Sequence, residues 1–212
     1  MEIDVVQAVG AVTRAVEDVD RDGKACKVVV ATRTYPTTIE DLWNAVTSLE
    51  RIPRWFLPIT GDLKVGGRYQ FEGNAGGEIL SCEPPHRFEV TWEFADQLSW
   101  LAIELRACAD GASTELELRH TAAPDEFWEQ FGPGAVGLGW DGALIGLDLH
   151  VERGAAVDRA EAQAWMGSAN YREFMTAASA RWRDASLAAG TDPAAAEAAW
   201  ERVTEAYTAT PE

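Results

Sequence analysis

The stretch that decides the fold opens with TYPTTIEDLWNAVTSLERIPRWF (residues 34–56) and closes with GAVGLGWDGALIGLDLHV (residues 134–151). Its first part predicts a short helix after Tyr35-Pro36, and its last part predicts one Gly-rich helix. Between them lie short apolar runs separated by turn residues, which predict hairpin strands. This order, with tryptophans at inward positions, indicates an α+β fold in which a sheet wraps around a helix and leaves a hydrophobic hollow.

The strands of this core are separated by a few turn residues only. Such gaps predict antiparallel neighbours, because a parallel pair needs a long crossover connection. Alternation gives the sheet one apolar face and one charged face. The predicted strands are Gly61–Val65, Arg68–Glu72, Glu78–Glu83, Arg87–Phe94, Ser99–Ala109 and Thr114–Thr121. The apolar face of the last three carries Phe88, Val90, Trp92, Phe94, Leu101, Ile103, Leu105, Leu116, Leu118 and His120.

Two further segments flank this core. Asp22-Gly23 is a strong turn signal and predicts a hairpin joining roughly residues 13–20 to 24–34, with a short helix before it. The valine spacing in residues 1–20 also suits a helix, so helix and strand both stay open there. Residues 155–212 are Ala-rich, and Ser168 and Asp192-Pro193 mark helix starts. We therefore predict a ligand-binding domain over 1–154 and a helical extension over 155–212 packed on it.

Composition narrows the class of protein. A hydrophobic fraction of 47% argues for a globular chain, and a net charge of −17 disfavours nucleic-acid binding. The three cysteines match neither a disulfide framework nor a zinc pattern, so we expect free thiols in a reducing cytoplasm. The N-terminus has no basic targeting region, and no apolar run is long enough to insert into a membrane. The excess of Arg over Lys and the abundance of Ala suggest a bacterial source.

A series of short motifs runs through the chain in a fixed order. They are Asp41-Leu42-Trp43-Asn44-Ala45-Val46-Thr47, Arg54-Trp55-Phe56, Gly66-Gly67-Arg68-Tyr69, Glu83-Pro84-Pro85-His86-Arg87-Phe88, Val90-Thr91-Trp92-Glu93 and Gly139-Trp140-Asp141. As a series they resemble the SRPBCC or START-like superfamily, in the branch named after the activator of the heat-shock protein 90 ATPase. The resemblance covers about Lys27 to Arg153. It implies a helix-grip fold, in which a curved antiparallel sheet grips a long C-terminal helix with a ligand cavity between them.

The inward aromatic residues are the candidate lining of that cavity. The alternative is ordinary core packing, where large rings are also favoured. We favour a cavity for the set as a whole, because the resemblance implies one. The candidate ligand-binding residues are Trp43, Trp55, Phe56, Tyr69, Phe71, Phe88, Trp92, Ile103, Leu118, His120, Trp140 and Leu144.

His120 is the candidate catalytic residue, because its phase with Leu116 and Leu118 predicts that it faces inward. A neutral imidazole there can hydrogen-bond a ligand or act as a general base, and the alternative is a core histidine bonded to backbone. His86 and His150 are expected to face solvent. The histidines and cysteines lack ligand spacing, so we predict no metal site and no cofactor.

Charged residues near the hollow give two weaker candidates. Asp41 and Arg54 are expected to pair beside the pocket mouth. Arg68 is placed to meet a ligand carboxylate, although surface ion pairs are the commoner explanation for both.

Three hypotheses of function follow. The first is a protein that binds a hydrophobic or aromatic small molecule, oriented by His120, Tyr69 or Arg68. The second is a cofactor-free and metal-free enzyme of the polyketide cyclase or dehydratase kind that uses the same pocket. The third is an interaction module, co-chaperone-like or dimeric, in which the helices of 155–212 form a homodimer seam or a lid.

Overall fold

The N-terminal elements of the computed structural model, which describes residues 2–209, form a helix followed by a hairpin. Helix α1 (Val5–Gly10) begins where the Asp4 carboxylate accepts the Gln7 N–H, and it precedes β1 (Val12–Arg21) and β2 (Lys24–Tyr35). Asp22 and Gly23 both have positive φ, 54° and 77°, as a two-residue hairpin turn requires. The predicted hairpin with a short helix before it is confirmed.

The helix predicted after Tyr35-Pro36 is α2 (Ile39–Thr47). Its N-cap is Thr38, whose hydroxyl accepts the Asp41 N–H, and acidic residues occupy the first turn. A single 3₁₀ turn, Ile52–Arg54, follows. Six strands come next: β3 (Ile59–Gly61), β4 (Arg68–Phe71), β5 (Gly76–Glu83), β6 (Arg87–Phe94), β7 (Gln97–Ala107) and β8 (Thr114–Ala122).

All eight strands belong to one sheet with the order β1-β2-β8-β7-β6-β5-β4-β3. Every pairing from β3 to β8 is antiparallel. Opposite residues share a face, so the pairs Leu101–His120 and Ile103–Leu118 place these four buried side chains together. We call the sheet face that carries them, together with Tyr69, Phe71, Phe88, Val90 and Trp92, the inner face. The predicted alternation is confirmed along β7 and β8, whereas on β6 the predicted inward residue Phe94 is 52% exposed.

The strand predicted at Gly61–Val65 is wrong. Only Ile59–Gly61 pairs with β4, and Gly61 has a φ of 128° that ends the strand. The chain then forms a tight loop in which Lys64 N–H donates to the Asp62 carbonyl and Gly67 N–H donates to the Lys64 carbonyl. A Cβ on Gly67 would lie 2.1 Å from the Asp62 carbonyl oxygen, so this turn needs glycine at that position.

Five helices complete the described chain. They are α3 (Glu126–Phe131), α4 (Gly134–Arg153), α5 (Arg159–Met166), α6 (Ala169–Ala188) and α7 (Pro193–Thr208). The predicted starts are confirmed, because Ser168 caps α6 and Asp192 caps α7 with Pro193 in its first turn. Helices α3 and α5 were not predicted, because they are short and carry no long apolar stripe. Together with the sheet, these helices confirm the predicted α+β class.

The described residues form two compact units. The first contains the chain up to Ala31, Ala123–Gly142 and the residues from Asp158 onward, whereas the second contains Thr32–Ala122 and Ala143–Val157. In the first unit, the indole of Trp182 is buried against Gly137, whose Cβ would lie 2.2 Å from it. The predicted domains, 1–154 and 155–212, stay a prediction.

Candidate functional site

A connected set of aromatic rings lies in the second unit. Phe56 and Phe71 meet edge to face at 5.0 Å, and Phe71 continues to Trp92 at 5.7 Å. Trp92 in turn lies 6.1 Å from the His120 ring. These centroid separations are in the range where aromatic pairs attract. The chain of rings, here called the aromatic cluster, comprises Trp55, Phe56, Tyr69, Phe71, Trp92 and His120.

The aromatic rings of the inner face are not all covered. Val90 on β6 is buried, yet its neighbours on the same face, Phe88 and Trp92, are only half-buried. Trp55 and Phe56 are also half-buried. A packed core would remove such large apolar rings from water completely. This part of the inner face therefore presents aromatic surface that remains accessible.

The remaining predicted lining residues fall into three groups. Trp43 forms a separate pair with Phe88, edge to face at 5.9 Å. Ile103, Leu118 and Leu144 are buried in the second unit. Trp140 belongs to the first unit and is half-buried there, so it is not among the residues that the second unit brings together.

His120 is buried, and its Nε2 is hydrogen-bonded to Ser99. Its Nε2 lies 2.9 Å from Ser99 Oγ, and the Ser99 hydroxyl donates to the Trp92 carbonyl at 3.0 Å. Because the single hydroxyl proton is used in that second bond, Ser99 must accept from a protonated Nε2. Burial lowers the pKa of His120 to about 4, so the ring is neutral at pH 7. The predicted inward orientation is confirmed.

Tyr69 and Arg68 already have partners. The Tyr69 hydroxyl donates to the Thr91 carbonyl at 2.7 Å, and burial raises the pKa of that hydroxyl above its ordinary range. Arg68 is exposed and donates to Glu93 at 2.6 Å. The hydrogen bond from Arg68 in turn lowers the pKa of Glu93.

Helix α4 is held from two sides within the second unit. Leu144 and Asp148 are one turn apart and meet β2, where Tyr35 donates to the Leu144 carbonyl at 3.2 Å and Arg33 pairs with Asp148. On another stripe, the Cβ position of Gly146 lies 2.5 Å from the Trp55 carbonyl oxygen. The close approach of the Trp55 backbone to α4 therefore explains why residue 146 is glycine. A Cβ at Gly139 or Gly142 would meet nothing within 4 Å.

Two predictions about charged residues beside this helix are wrong. His150 is 1% exposed instead of facing solvent. Its Nδ1 lies 2.7 Å from the Ala155 carbonyl and its Nε2 lies 3.3 Å from Arg51 Nε, so Nδ1 carries the proton and Nε2 accepts. Asp41 pairs with Arg51 at 2.6 Å rather than with Arg54, and this hydrogen bond lowers the pKa of Asp41.

Arg33 is a buried polar residue of this region that was not among the predicted site residues. It is 7% exposed, and its guanidinium carbon lies 5.5 Å from the centre of the Tyr35 ring. The available signal was the alternation of β2, because Arg33 shares a face with the buried Tyr35. Burial raises the pKa of Tyr35 far above its ordinary value, so this hydroxyl stays protonated.

Neither a metal-ligand cluster nor a membrane-spanning helix is found among the described residues. Within residues 2–209, no group of three or more His, Cys, Asp or Glu side chains is arranged to hold a metal ion. No helix of that part of the chain is long and apolar enough to span a membrane.

Comparison with known proteins agrees with this architecture. Residues 36–152, more than half of the chain, match the family model described as Activator of Hsp90 ATPase homolog 1-like protein. No curated protein matches the chain. PFC0360w, an HSP90 activator from Plasmodium falciparum, is 25% identical over 60% of this chain and 96% of its own, with a TM-score of 0.51.

A second solved structure matches more of the chain. The crystal structure of CalU16 from Micromonospora echinospora is 27% identical, covers 82% of this chain and 98% of its own, and has a TM-score of 0.65. Its solution NMR structure gives 26% identity, 85% and 97% coverage, and a TM-score of 0.70. This likeness extends beyond residues 36–152. The predicted resemblance and the helix-grip fold are confirmed.

Proposed function

Because the chain belongs to the family of Activator of Hsp90 ATPase homolog 1-like proteins, we propose that its helix-grip domain binds a hydrophobic or aromatic small molecule on the inner face of the sheet. The observation that carries the proposal is the half-buried state of Phe88 and Trp92 beside buried neighbours such as Val90 and Ile103. Aromatic surface that the fold does not cover is available to a ligand, which gains affinity by removing it from water.

The polar groups of the site support binding better than acid–base catalysis. A neutral His120 with a pKa of about 4 is a weak base at pH 7, and its Nε2 proton is already donated to Ser99. Tyr69 donates to backbone and Arg68 is turned to Glu93, so neither supports the orienting role predicted for it. We therefore rank the cyclase or dehydratase hypothesis below binding.

The tryptophans predicted to form a seam or lid are engaged within the first unit. Trp165 and Trp182 are buried, and Trp200 donates to Ser179 Oγ at 3.1 Å while Arg183 lies over its ring at 4.7 Å. A homodimer or chaperone contact through these helices would have to use other residues. The interaction hypothesis therefore ranks below binding as well.

Native mass spectrometry of freshly purified protein, followed by denaturing extraction, tests the proposal first. We expect a co-purifying apolar mass bound near one per chain. Titration with the apolar fluorophore N-phenyl-1-naphthylamine then measures binding to ligand-free protein. A protein that carries no apolar mass and does not enhance this fluorescence would contradict the proposal.

Two tryptophans provide a matched pair of variants for the same titration. Trp92 on β6 faces inward, whereas Trp100 on β7 alternates with the buried Leu101 and points to the other face; both are half-buried. We expect Trp92→Leu to raise the Kd for the fluorophore by about 3–10-fold through lost aromatic contact. Trp100→Leu should leave the Kd unchanged. Equal effects of the two substitutions would argue against binding on the inner face.

A further inference from the structure

Arg33 differs from the other polar side chains of the second unit, because part of its hydrogen-bonding capacity is unused. One terminal nitrogen, Nη2, pairs with the Asp148 carboxylate. Among residues 2–209, no acceptor lies within hydrogen-bonding distance of Arg33 Nε or Nη1, although both atoms are buried. A buried N–H group without an acceptor costs free energy that a bound acceptor would recover.

Arg33 lies on the strand next to β8, which carries part of the inner face. Its strand, β2, adjoins β8, whose buried alternating residues include Leu118 and His120 of the inner face. The contact with Asp148 shows that Arg33 lies on the side of the sheet where α4 packs. Tyr35, next to it on the same strand face, cannot serve a ligand in the same way because its hydroxyl donates to Leu144.

We propose that Arg33 is the polar anchor of the binding site and donates through one of its two unused nitrogens, Nε or Nη1, to a neutral carbonyl oxygen of an otherwise apolar ligand. This inference rests on the proposed function, because it identifies the polar group of the same ligand. These two nitrogens lie on opposite edges of the planar guanidinium, so a carbonyl oxygen accepts from one of them at a time.

The ion pair of Arg33 and Asp148 favours a ligand whose hydrogen-bond acceptor is neutral. Asp148 already balances the charge of Arg33, and the side chain of Asp148 is 19% exposed. A ligand carboxylate would therefore add an unbalanced negative charge next to a carboxylate in a poorly hydrated site. A ketone, quinone or ester oxygen accepts the same hydrogen bonds without that cost.

Two probes with one ring skeleton test the anchor. Fluorene is an apolar three-ring hydrocarbon, and 9-fluorenone differs from it by a single carbonyl group. In titrations that follow the quenching of tryptophan fluorescence, we expect fluorenone to bind about 10–100-fold more tightly, as for a hydrogen bond from a charged donor. Equal affinities would overturn the anchor while leaving the proposed function standing. Failure of both probes to bind would overturn the proposed function and the anchor with it.

Variants test whether the preference for fluorenone over fluorene comes from Arg33. The double variant Arg33→Met/Asp148→Leu replaces the ion pair with apolar side chains, a change that folds often tolerate. We expect it to bind fluorene as the wild type does and to lose the preference for fluorenone. Arg68→Met removes an exposed guanidinium and should keep the full preference. A preference that survives in the double variant would overturn the assignment.

One measurement on the wild-type protein is independent of whether the double variant folds. The Nε–Hε cross-peak of Arg33 in an NMR ¹⁵N correlation spectrum should shift with fluorenone and stay in place with fluorene. Fluorene-9-carboxylate tests the charge argument in the titration. The proposal would be overturned if the protein bound this anion more tightly than fluorenone. It would also be overturned if the Arg33 cross-peak did not shift on addition of fluorenone.

Discussion

Replacing Asp141 with asparagine measures the contribution of the buried ion pair in the first unit. The Asp141 carboxylate accepts from Arg14 Nη2 and from Trp182 Nε1, both at 2.9 Å. The side chains of Arg14 and Asp141 are 3% and 0% exposed. An asparagine offers one oxygen, so its NH₂ group would face a donor and the guanidinium would lose its counter-charge. We expect a loss of about 3–5 kcal/mol in the free energy of unfolding.

Urea unfolding followed by circular dichroism and tryptophan fluorescence measures this loss. With a urea m-value of about 2 kcal/mol/M, the midpoint should fall by about 1.5–2.5 M. The control is Glu197→Gln, which removes a partner of Arg183, the residue after Trp182 on α6. That pair is 3.4 Å long and partly exposed, so its loss should cost less than about 1 kcal/mol.

A double variant separates the cost of an unpaired charge from the value of the pair. Arg14→Met/Asp141→Leu removes both charges, so it should be more stable than Asp141→Asn alone. The reasoning would be refuted by a loss below about 1 kcal/mol in Asp141→Asn. It would also be refuted if the double variant were destabilised by the sum of its two single substitutions.

Three further predictions concern other parts of the chain. Gly146→Ala should lower the melting temperature, because the added Cβ would lie 2.5 Å from the Trp55 carbonyl oxygen. Gly139→Ala in the same helix meets no such atom and should raise the free energy of unfolding by about 1 kcal/mol. Calorimetry that ranks the two variants in the opposite order would contradict the close approach at Gly146. The unfolded chain protonates His120 near pH 6.5 and the folded chain only near pH 4, so stability should fall as the pH decreases through this window, by about 2 kcal/mol at pH 5. His120→Phe should lack that part of the pH dependence in urea titrations, and an identical dependence in both proteins would exclude the buried neutral imidazole. Deleting residues 155–212 should lower the melting temperature by at least about 10 °C, because the deletion uncovers the buried ion pair of Arg14 and Asp141 in the first unit. An unchanged melting temperature would mean that the segment folds independently.

The central strands could be predicted from the sequence because their two faces differ in chemistry. Along β8, buried leucines alternate with charged residues such as Glu117, and a slip by one residue would bury the charges. The alternation of polar and apolar residues in Gly61–Val65 is typical of a strand, but only Gly61 lies in one. Backbone hydrogen bonds within the turn, such as that from Lys64 to Asp62, fix its conformation, and the sequence signal for it is Gly67, where a Cβ does not fit.

Charged residues of the candidate site were predicted less well than its aromatic residues. An aromatic ring on the apolar face of a strand faces the core, so alternation alone predicts the positions of Phe71 and Trp92. Arg54 is the predicted partner of Asp41, whereas Arg51, which precedes the 3₁₀ turn, is the arginine that pairs with it. His150 was assigned to solvent because a histidine near a helix end is usually exposed, and the partner that buries it is 99 residues away in sequence.

Helix α4 carries two aspartates seven residues apart, and their partners explain why one ion pair is structural and the other is proposed to serve a ligand. Arg14 donates to Asp141 and also to the carbonyls of Val9 and Val12, at 3.1 and 2.8 Å, so each of its nitrogens has an acceptor. Arg33 reaches Asp148 through one nitrogen only. A fully bonded buried arginine stabilises one conformation of the chain, and an additional acceptor would have to displace an existing one. An arginine that keeps two buried N–H groups available can instead bind an oxygen at no cost to the fold, which is why the search for a ligand should begin with apolar carbonyl compounds.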